Sequence, residues 1–159
     1  MDFGRNWKAA AQQVKKNKEA GKTIVSTNGC FDILHPGHAH YLQQAKNEGE
    51  FLIVAINSDN SVKKIKGPKR PVQNESARAT MLMALKPVDA VCIFDEDTPI
   101  AWLEAICPDI HVKGGDYVIE KMPEYETLKK MGAEIKCLDF LEGHSSTKLI
   151  QKANGENDQ

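Results

Sequence analysis

Long apolar runs are absent from this chain of 159 residues. No stretch approaches the roughly 20 apolar residues that a membrane helix needs. The N-terminal segment is polar and is interrupted by Lys15, Lys16 and Lys18, unlike a secretory signal. The four cysteines form no C-x-x-C pair, and three of them sit beside apolar strand or helix residues, which favours reduced, packed thiols, with zinc ligation as the alternative. These absences predict a cytoplasmic protein without membrane association.

An excess of charge of one sign is also absent. The 21 Lys and Arg residues balance 22 Asp and Glu residues, which gives a formal net charge of −1. No global field then attracts nucleic acid or an anionic membrane. The most basic segment, between residues 63 and 70, contains no aromatic side chains on which bases could stack. Nucleic acid is therefore not an expected partner.

Familiar catalytic patterns are missing as well. The chain has no G-x-x-x-x-G-K-[ST] phosphate loop, and no G-x-G-x-x-G dinucleotide loop follows its first apolar run. No serine or cysteine nucleophile has an evident base and orienting partner in the sequence. Any chemistry on phosphates must then depend on other residues.

What the chain does contain is an alternation of short apolar runs with segments of helical period. The runs predict five strands, at Thr23–Thr27, Phe51–Asn57, Ala90–Phe94, Ile110–Lys113 and Glu134–Leu138. The helical segments after them are Gly37–Asn47, Glu75–Leu85, Pro99–Ile106, Tyr125–Met131 and Ser146–Ala153. Near-continuous apolar strands that alternate with helices are typical of a parallel sheet buried on both faces.

This pattern predicts an α/β fold with a doubly wound, mainly parallel five-stranded sheet. A further helix, from Gly4 to Ala20, precedes the first strand. Residues 1–153 are predicted to form a single domain, and the polar residues 154–159 a disordered tail. In such sheets, ligands bind beyond the carboxyl ends of the strands, where the strand order reverses. The residues that follow each strand are therefore the candidates for function.

The strongest functional signal follows the first predicted strand, at His35-Pro36-Gly37-His38. Pro36 suits the first position of a helix, because its fixed φ and missing N–H are tolerated there. Gly37 lets a ligand approach the backbone, and the helix N-terminus adds free N–H groups and a partial positive charge. Two imidazoles at such a turn, preceded by Asp32, predict a phosphate cradle. The alternative is a tight strand–helix connection with incidental histidines.

Basic residues gather after the second predicted strand. Lys66 and Arg70 belong to a segment that Gly67 and Pro68 interrupt, and this composition suits a mobile flap that closes over a polyphosphate. Arg78, on the following helix, suits a fork-shaped phosphate clamp. A solvated loop and a helix-surface arginine are the alternatives.

Glycine and hydroxyl residues follow the last two predicted strands. Lys113 precedes a Gly-Gly pair that lets the backbone pass close to a ligand, and Asp116 adds an opposite charge; a plain turn is the alternative. Three hydroxyl residues and a lysine open the last helix, which is more than capping requires. They are placed to bind oxyanions at a helix N-terminus. These residues are Ser145, Ser146, Thr147 and Lys148.

The segment from Gly29 to His38 resembles the HxGH segment of the cytidylyltransferase-like nucleotidyltransferases, and Ser145–Lys148 resembles their second phosphate-binding motif. The inner segments are most similar to those of the D-glycero-β-D-manno-heptose 1-phosphate adenylyltransferases. These inner segments are Asn57–Asp59, Lys66–Gly67, Arg70–Val72, Arg78, Glu96–Pro99 and Val112–Tyr117. The resemblance covers roughly residues 20–152. Ser76-Ala77 departs from it, because a Glu-Gln pair is usual before the arginine.

The resemblance implies a Rossmann-like fold and the transfer of AMP from ATP to the sugar 1-phosphate, with release of pyrophosphate. It implies that His35 and His38 hydrogen-bond the α-phosphate and its bridging oxygen, with Lys46 assisting electrostatically. It assigns Asp32 and Lys113 to the sugar phosphate, Mg²⁺ to the nucleotide phosphates, and a homo-oligomeric state to the chain. The residues assigned to the nucleotide are Asn28, Gly29, Phe31, Lys66, Arg70, Arg78, Gly115, Asp116, Ser145, Ser146, Thr147 and Lys148.

Two other functions are compatible with the same residues. One is a cytidylyltransferase acting on glycerol 3-phosphate or a similar alcohol phosphate, which would use the same catalytic groups. The other is a nucleotide-binding module without catalysis, which would bind nucleotide and release no pyrophosphate. A module that only binds has no need of both histidines together with the complete Ser-Ser-Thr-Lys segment.

Overall fold

The computed structural model describes residues 1–115, 118–139 and 146–153. Within these ranges, one sheet of six parallel strands has the order β1-β4-β3-β2-β5-β6. The strands are β1 (Asp2–Gly4), β2 (Ile24–Gly29), β3 (Phe51–Asn57), β4 (Ala90–Phe94), β5 (Ile110–Gly114) and β6 (Glu134–Leu138). The helices are α1 (Trp7–Glu19), α2 (Pro36–Asn47), α3 (Asp59–Lys66), α4 (Glu75–Met83), α5 (Ile100–Ile106), α6 (Tyr125–Met131) and α7 (Ser146–Ala153). A short 3₁₀ helix spans Ile119–Lys121.

Helices cover both faces of the sheet, which explains why its strands are apolar throughout. All seven residues of β3 are buried, and they alternate between the two sides. Leu52 and Val54 pack in the cluster that includes α2 and α4, whereas Phe51 and Ile53 pack in the cluster that includes α1 and α5. The predicted doubly wound α/β fold is therefore confirmed.

The predicted number of five strands is wrong, because β1 adds a sixth at one edge. Its three residues, Asp-Phe-Gly, include one large apolar side chain and pair irregularly with β4. A strand so short has no alternation from which a sequence could predict it. Only its pairing with β4 makes it a strand.

The order of the strands reverses beside β2. The chain runs from β2 to β3 and β4 on one side and then crosses to β5 on the other side of β2. Ligands of open α/β sheets bind in the crevice outside the carboxyl ends of the strands at this position. The residues that follow β2 and β5 therefore face a common crevice.

Three other predictions from the sequence concern membrane-spanning helices, the cysteines and the C-terminal tail. No helix in the described ranges is long and apolar enough to cross a membrane. None of the four cysteines, all of which lie in the described ranges, forms a disulfide; Cys107 and Cys137 are exposed, so fewer than the predicted three are packed. The tail at residues 154–159 lies outside the described residues.

Candidate active site

A cavity of about 400 Å³ opens at the carboxyl ends of β2 and β5. Its walls come from both strands, from the turn into α2, from α3 and the loop after it, and from the start of α7. The lining residues are Asn28, Gly29, Cys30, Phe31, Asp32, His38, Tyr41, Asn57, Ile65, Lys66, Arg70, Lys113, Gly114 and Ser146. The sequence predicted nine of these residues as site residues: Asn28, Gly29, Phe31, Asp32, His38, Lys66, Arg70, Lys113 and Ser146.

The two histidines stack on each other at the start of α2. His35 is the N-cap residue, and Pro36 occupies the first turn, as the sequence predicted. The ring centroids of His35 and His38 lie 3.8 Å apart with an interplanar angle of 25°. Phe31 has a φ of +46°, which is rare for a bulky residue, and its ring centroid lies 5.1 Å from that of His38. His38 reaches the cavity, while the buried His35 packs against it.

His38 is neutral in the free protein at neutral pH. Burial, the neighbouring His35 and the ammonium of Lys66 lower the pKa of His38 to about 4, although the backbone carbonyl of Ile33 opposes this shift. A neutral ring offers an N–H donor rather than a charge. An anionic phosphate beside the ring favours the protonated form and raises its pKa. Of the two cation-capable rings in the predicted cradle, His38 is therefore uncharged before a phosphate binds, and an approaching phosphate favours its protonated form, in which both ring nitrogens are donors.

The low pKa of His38 makes stability depend on pH. Between a folded pKa of about 4 and the ordinary value of 6.5, the unfolded chain binds the proton that the folded one excludes. The free energy of unfolding should therefore fall as the pH falls through this window. Urea denaturation of the wild type and of His38→Gln at about pH 7 and about pH 5 measures the effect. The variant should lose less stability than the wild type between these two pH values, and an equal loss in both would contradict the prediction.

Asp32 anchors the loop that follows α3. Its side chain is 1% exposed and pairs with Arg70 at 2.5 Å. The other carboxylate oxygen accepts hydrogen bonds from the backbone N–H groups of Val72 and Gln73, at 2.8 and 3.0 Å. Asp32 lines the cavity, but these contacts occupy both of its oxygens. The structure thus does not support the prediction that Asp32 binds the sugar phosphate, because a buried carboxylate requires these partners.

The first half of the basic segment is helical, which the sequence did not predict, and its role as a mobile flap stays a prediction. Residues 59–66 form α3, which Ser58 caps by accepting a hydrogen bond from the N–H of Ser61. Lys66, at the end of this helix, is exposed and lines the cavity together with Ile65. Arg70 lines it from the loop anchored on Asp32. Because few residues separate β3 from Gly67, the sequence did not predict the eight-residue helix between them.

Arg78 holds the framework of the site rather than facing the cavity. Its side chain is fully buried, and it donates hydrogen bonds to the carbonyls of Cys30 and Gln73 and to Asp59 Oδ1. These contacts tie α4 to the His turn, to α3 and to the Arg70 loop. The prediction of Arg78 as a phosphate clamp is therefore wrong, because its guanidinium is enclosed by protein acceptors.

Lys46 lies away from the cavity, and its predicted catalytic role is wrong. Each helical residue rises about 1.5 Å, so Lys46 is roughly 15 Å along α2 from Pro36. Its ammonium bonds to Asp89 Oδ2 at 2.5 Å and to the carbonyl of Glu50 at 2.6 Å. Glu50 and Asp89 immediately precede β3 and β4, at the amino ends of the strands. Lys46 therefore stabilises the opposite end of the sheet.

Asn28 and Lys113 meet across the point where the strand order reverses. Asn28 lies in β2 and Lys113 in the neighbouring β5, and the Nζ of Lys113 is 2.5 Å from Asn28 Oδ1. A second contact, of 2.8 Å, joins the same Nζ to Oε1 of Glu124. Gly115 follows β5 with a φ of +102° and donates its N–H to the carbonyl of Leu138. Asp116 lies outside the described residues.

The start of α7 reaches the His turn. Ser146 lines the cavity, and its hydroxyl donates a 2.9 Å hydrogen bond to the carbonyl of Ile33. Thr147 follows it as an exposed residue of the same helix. Ser145 and the side chain of Lys148 lie outside the described part of the chain. Ser146, a residue of the predicted oxyanion segment, therefore lies beside the histidine turn.

Five lining residues were missed as individual site residues: Cys30, Tyr41, Asn57, Ile65 and Gly114. The hydroxyl of Tyr41 donates to the carbonyl of Val112 at 3.0 Å, and Tyr41 follows His38 by three residues, on the same helix face. Cys30 donates to Asn57 Oδ1 at 3.7 Å. Burial raises the pKa of the Cys30 thiol despite the nearby Lys66, Arg78 and Arg70, so this thiol is not an activated nucleophile.

A second cavity, of about 380 Å³, shares Lys113 with the first. The segment after β4 and the segment before α6 form its walls. Its other lining residues are Asp97, Thr98, Pro99, Val118, Lys121, Met122, Pro123 and Glu124. The sequence did not predict this cavity or Glu124, because the 118–124 segment carries no motif of its own. The two cavities together can hold two ligands that meet at Lys113.

Known proteins resemble the chain closely. A bifunctional protein HldE from a Marinomonas species is 49% identical over 143 residues, covering 90% of this chain and 30% of that protein. A bifunctional protein HldE from Campylobacter fetus is 52% identical over 136 residues, covering 86% and 29%. The chain thus spans only about 30% of the length of the curated relatives it matches.

A solved structure and a family model agree with these relatives. The crystal structure of the lipopolysaccharide core biosynthesis protein from Thermoplasma volcanium superposes with a TM-score of 0.62 at 31% identity, over 78% of this chain and 100% of that one. The Cytidylyltransferase-like family model matches residues 26–152, which include most of β2, the stacked histidines, Lys113 and Ser146. The chain is a member of the cytidylyltransferase-like family of nucleotidyltransferases.

Proposed function

We propose that the chain transfers AMP from ATP to D-glycero-β-D-manno-heptose 1-phosphate, giving ADP-heptose and pyrophosphate. The observation that carries this proposal is the pair of cavities that share Lys113. One cavity collects His38, Lys66 and Arg70, which are donors suited to a nucleoside triphosphate, with Ser146 beside them. The relatives named HldE and the lipopolysaccharide core biosynthesis protein support the sugar as the acceptor.

The reaction needs positioning and charge stabilisation more than proton transfer. A phosphate oxygen of the sugar phosphate attacks the α-phosphorus, and the bond from that phosphorus to the bridging oxygen of pyrophosphate breaks. The attacking oxygen is already anionic, so no strong general base is required. His38 would donate a hydrogen bond to the α-phosphate as negative charge grows there, and Lys113 would hold the attacking phosphate. The stacked His35 keeps the ring of His38 in place.

Mg²⁺ is part of this proposal as a companion of the nucleotide. The described residues contain no group of three or more His, Cys, Asp or Glu side chains that could hold a metal ion. The residues therefore fit a cation that binds through the phosphates, which is how Mg²⁺ commonly enters such sites. When bound, Mg²⁺ neutralises charge on the phosphates. Lys66 and Arg70 would contact the same phosphates from α3 and its following loop.

Pyrophosphate release measured over a grid of substrates tests the proposal. ATP and CTP are each combined with heptose 1-phosphate and with glycerol 3-phosphate in the presence of Mg²⁺. Release with ATP and the heptose phosphate alone is the expected result. Release with CTP and glycerol 3-phosphate would keep the reaction and replace the substrates. Nucleotide binding without release in any combination would indicate the module without catalysis.

Replacing Lys66 tests the contribution of α3 to the nucleotide. Lys66→Ala should raise the KM for ATP by about tenfold, because an ion-assisted hydrogen bond to a phosphate is lost. The KM for the sugar phosphate should change far less. Lys15, a well-exposed residue of α1 that is not among the lining residues of either cavity, provides a matched control in Lys15→Ala. An unchanged KM for ATP in Lys66→Ala would reduce this lysine to a surface residue.

A further inference from the structure

Glu124 is a buried carboxylate between the two cavities. Its side chain is 3% exposed, and it lies immediately before α6, in the wall of the second cavity. Its Oε1 is 2.8 Å from the Nζ of Lys113. A charge is buried in this way only when a partner compensates for the lost solvation. The contact with Lys113 therefore compensates for the lost solvation of the Glu124 carboxylate.

His111 lies on the other side of Glu124 and adds no charge. Its Nε2 is 3.9 Å from Glu124 Oε1, and its Nδ1 is 2.7 Å from the hydroxyl of Ser26. The ring is completely buried, and this burial lowers its pKa well below the usual value. A neutral His111 leaves the ammonium of Lys113 as the cation that balances Glu124.

Two protein oxygens hold Lys113 from two elements. Asn28 Oδ1 contacts its Nζ from β2, and Glu124 Oε1 contacts it from the segment before α6. An ammonium has three N–H donors, and these contacts use two of them. Among the residues that the structure describes, no other acceptor is seen for the third, which leaves it to a ligand at the boundary that Lys113 forms between the cavities. A lysine on a flexible stem takes one position only when such partners restrain it.

We propose that Glu124 is a positioning residue, which holds the ammonium of Lys113 where it binds the phosphate of the acceptor. This inference rests on the proposed function, since it assigns Lys113 to the phosphate that attacks. Removing the charge of Glu124 frees Lys113 to adopt other rotamers and leaves it held by Asn28 alone. The acceptor then loses a preplaced cation, while the groups that bind ATP keep their positions on α2, α3 and α7.

Glu124→Gln tests the proposal because it removes the charge and preserves the size of the side chain. The KM for the sugar phosphate should rise by about tenfold, and the KM for ATP should change by less than about twofold. Glu126→Gln, on the exposed side of the same segment, removes the same charge and should leave both values unchanged. Equal rises in both KM values would indicate general damage to the site and would overturn the proposal.

A double-mutant cycle separates an effect through Lys113 from a direct one. Lys113→Met should itself raise the KM for the acceptor. In that background, Glu124→Gln should add less than about twofold, because the residue it positions is already gone. If Glu124→Gln keeps its full effect without Lys113, Glu124 acts on the substrate itself and the positioning role is wrong. Circular dichroism checks that each variant is folded. If Glu124→Gln does not fold, Glu124→Asp replaces it, and an intermediate KM for the acceptor is expected.

A binding measurement tests the role of Glu124 separately from the proposed function. Wild type without turnover on any acceptor would contradict the proposed function. Calorimetry with inorganic phosphate, in the presence of a non-hydrolysable ATP analogue, still tests Glu124 in that case. Wild type should bind phosphate about tenfold more tightly than either Glu124→Gln or Lys113→Met. Equal affinity in wild type and Glu124→Gln, or no phosphate binding by wild type, would overturn the inference.

Discussion

Replacing His38 by alanine should lower kcat by about 10²-fold or more and change the KM for ATP far less. His38 reaches the cavity at the start of α2, where a donor can follow the charge that develops on the α-phosphate. A donor that acts mainly in the transition state affects kcat more than binding. His35→Ala should have a similar effect, because the stacking at 3.8 Å holds the two rings together.

Rapid-quench measurement of pyrophosphate formation provides the rate of the chemical step for both variants. His40→Ala is the matched control, since His40 lies on the same helix and is exposed to solvent. His38→Gln keeps an N–H donor of similar reach and should recover part of the rate lost in His38→Ala. An unchanged kcat in both alanine variants would contradict a catalytic role for the stacked pair.

Asp32→Ala should lower the free energy of unfolding by about 3 kcal/mol, as expected when one partner of a buried ion pair is removed. Asp32 is 1% exposed and Arg70 13% exposed in this pair. The substitution also leaves the N–H groups of Val72 and Gln73 without their acceptor. Because Arg70 is partly accessible to water, the expected loss lies at the lower end of the roughly 3–5 kcal/mol that removing one partner of a buried ion pair costs. Without Asp32, Arg70 should also move away from the cavity wall, and ATP binding should weaken as a result.

Urea denaturation with linear extrapolation measures this loss of stability. Glu19→Ala is the control, because it breaks a pair with Lys15 in which both side chains are well exposed. Such a pair contributes less than about 1 kcal/mol. Asp32→Asn keeps the shape and should fall between Asp32→Ala and the wild type. A loss no larger in Asp32→Ala than in the control would show that the Arg70 loop does not depend on its anchor.

Apolar periodicity was sufficient to predict most of the sheet and of its helices. The limits of β3, β4, β6, α6 and α7 agree with the structure, because uninterrupted apolar runs and capped helical segments are local signals. The edge strand β1 and the basic helix α3 were missed. β1 exists through its pairing with β4. α3 has a short apolar face, since Val62 is buried while Ile65 is exposed.

The positions of the candidate residues followed from the sequence where each came directly after a strand. Parallel strands bring their carboxyl ends to one edge, so His38, Lys113 and Ser146 were expected together and lie around one cavity. Lys46 was misassigned because a helix separates it from that edge by roughly 15 Å. Lys46 is close to the histidines in the sequence, but this closeness does not bring it near them in the fold.

The sequence by itself determined the alternation of strands and helices, the absence of a membrane-spanning run, and the turn that places two histidines at a helix start. The tertiary structure alone decided what each charged side chain contacts. Asp32 and Arg78 became parts of the framework, and Glu124 was brought to Lys113 from a segment with no motif. The reason is physical: backbone pattern depends on neighbours along the chain, whereas a buried charge takes its role from partners on distant segments that compensate for its lost solvation.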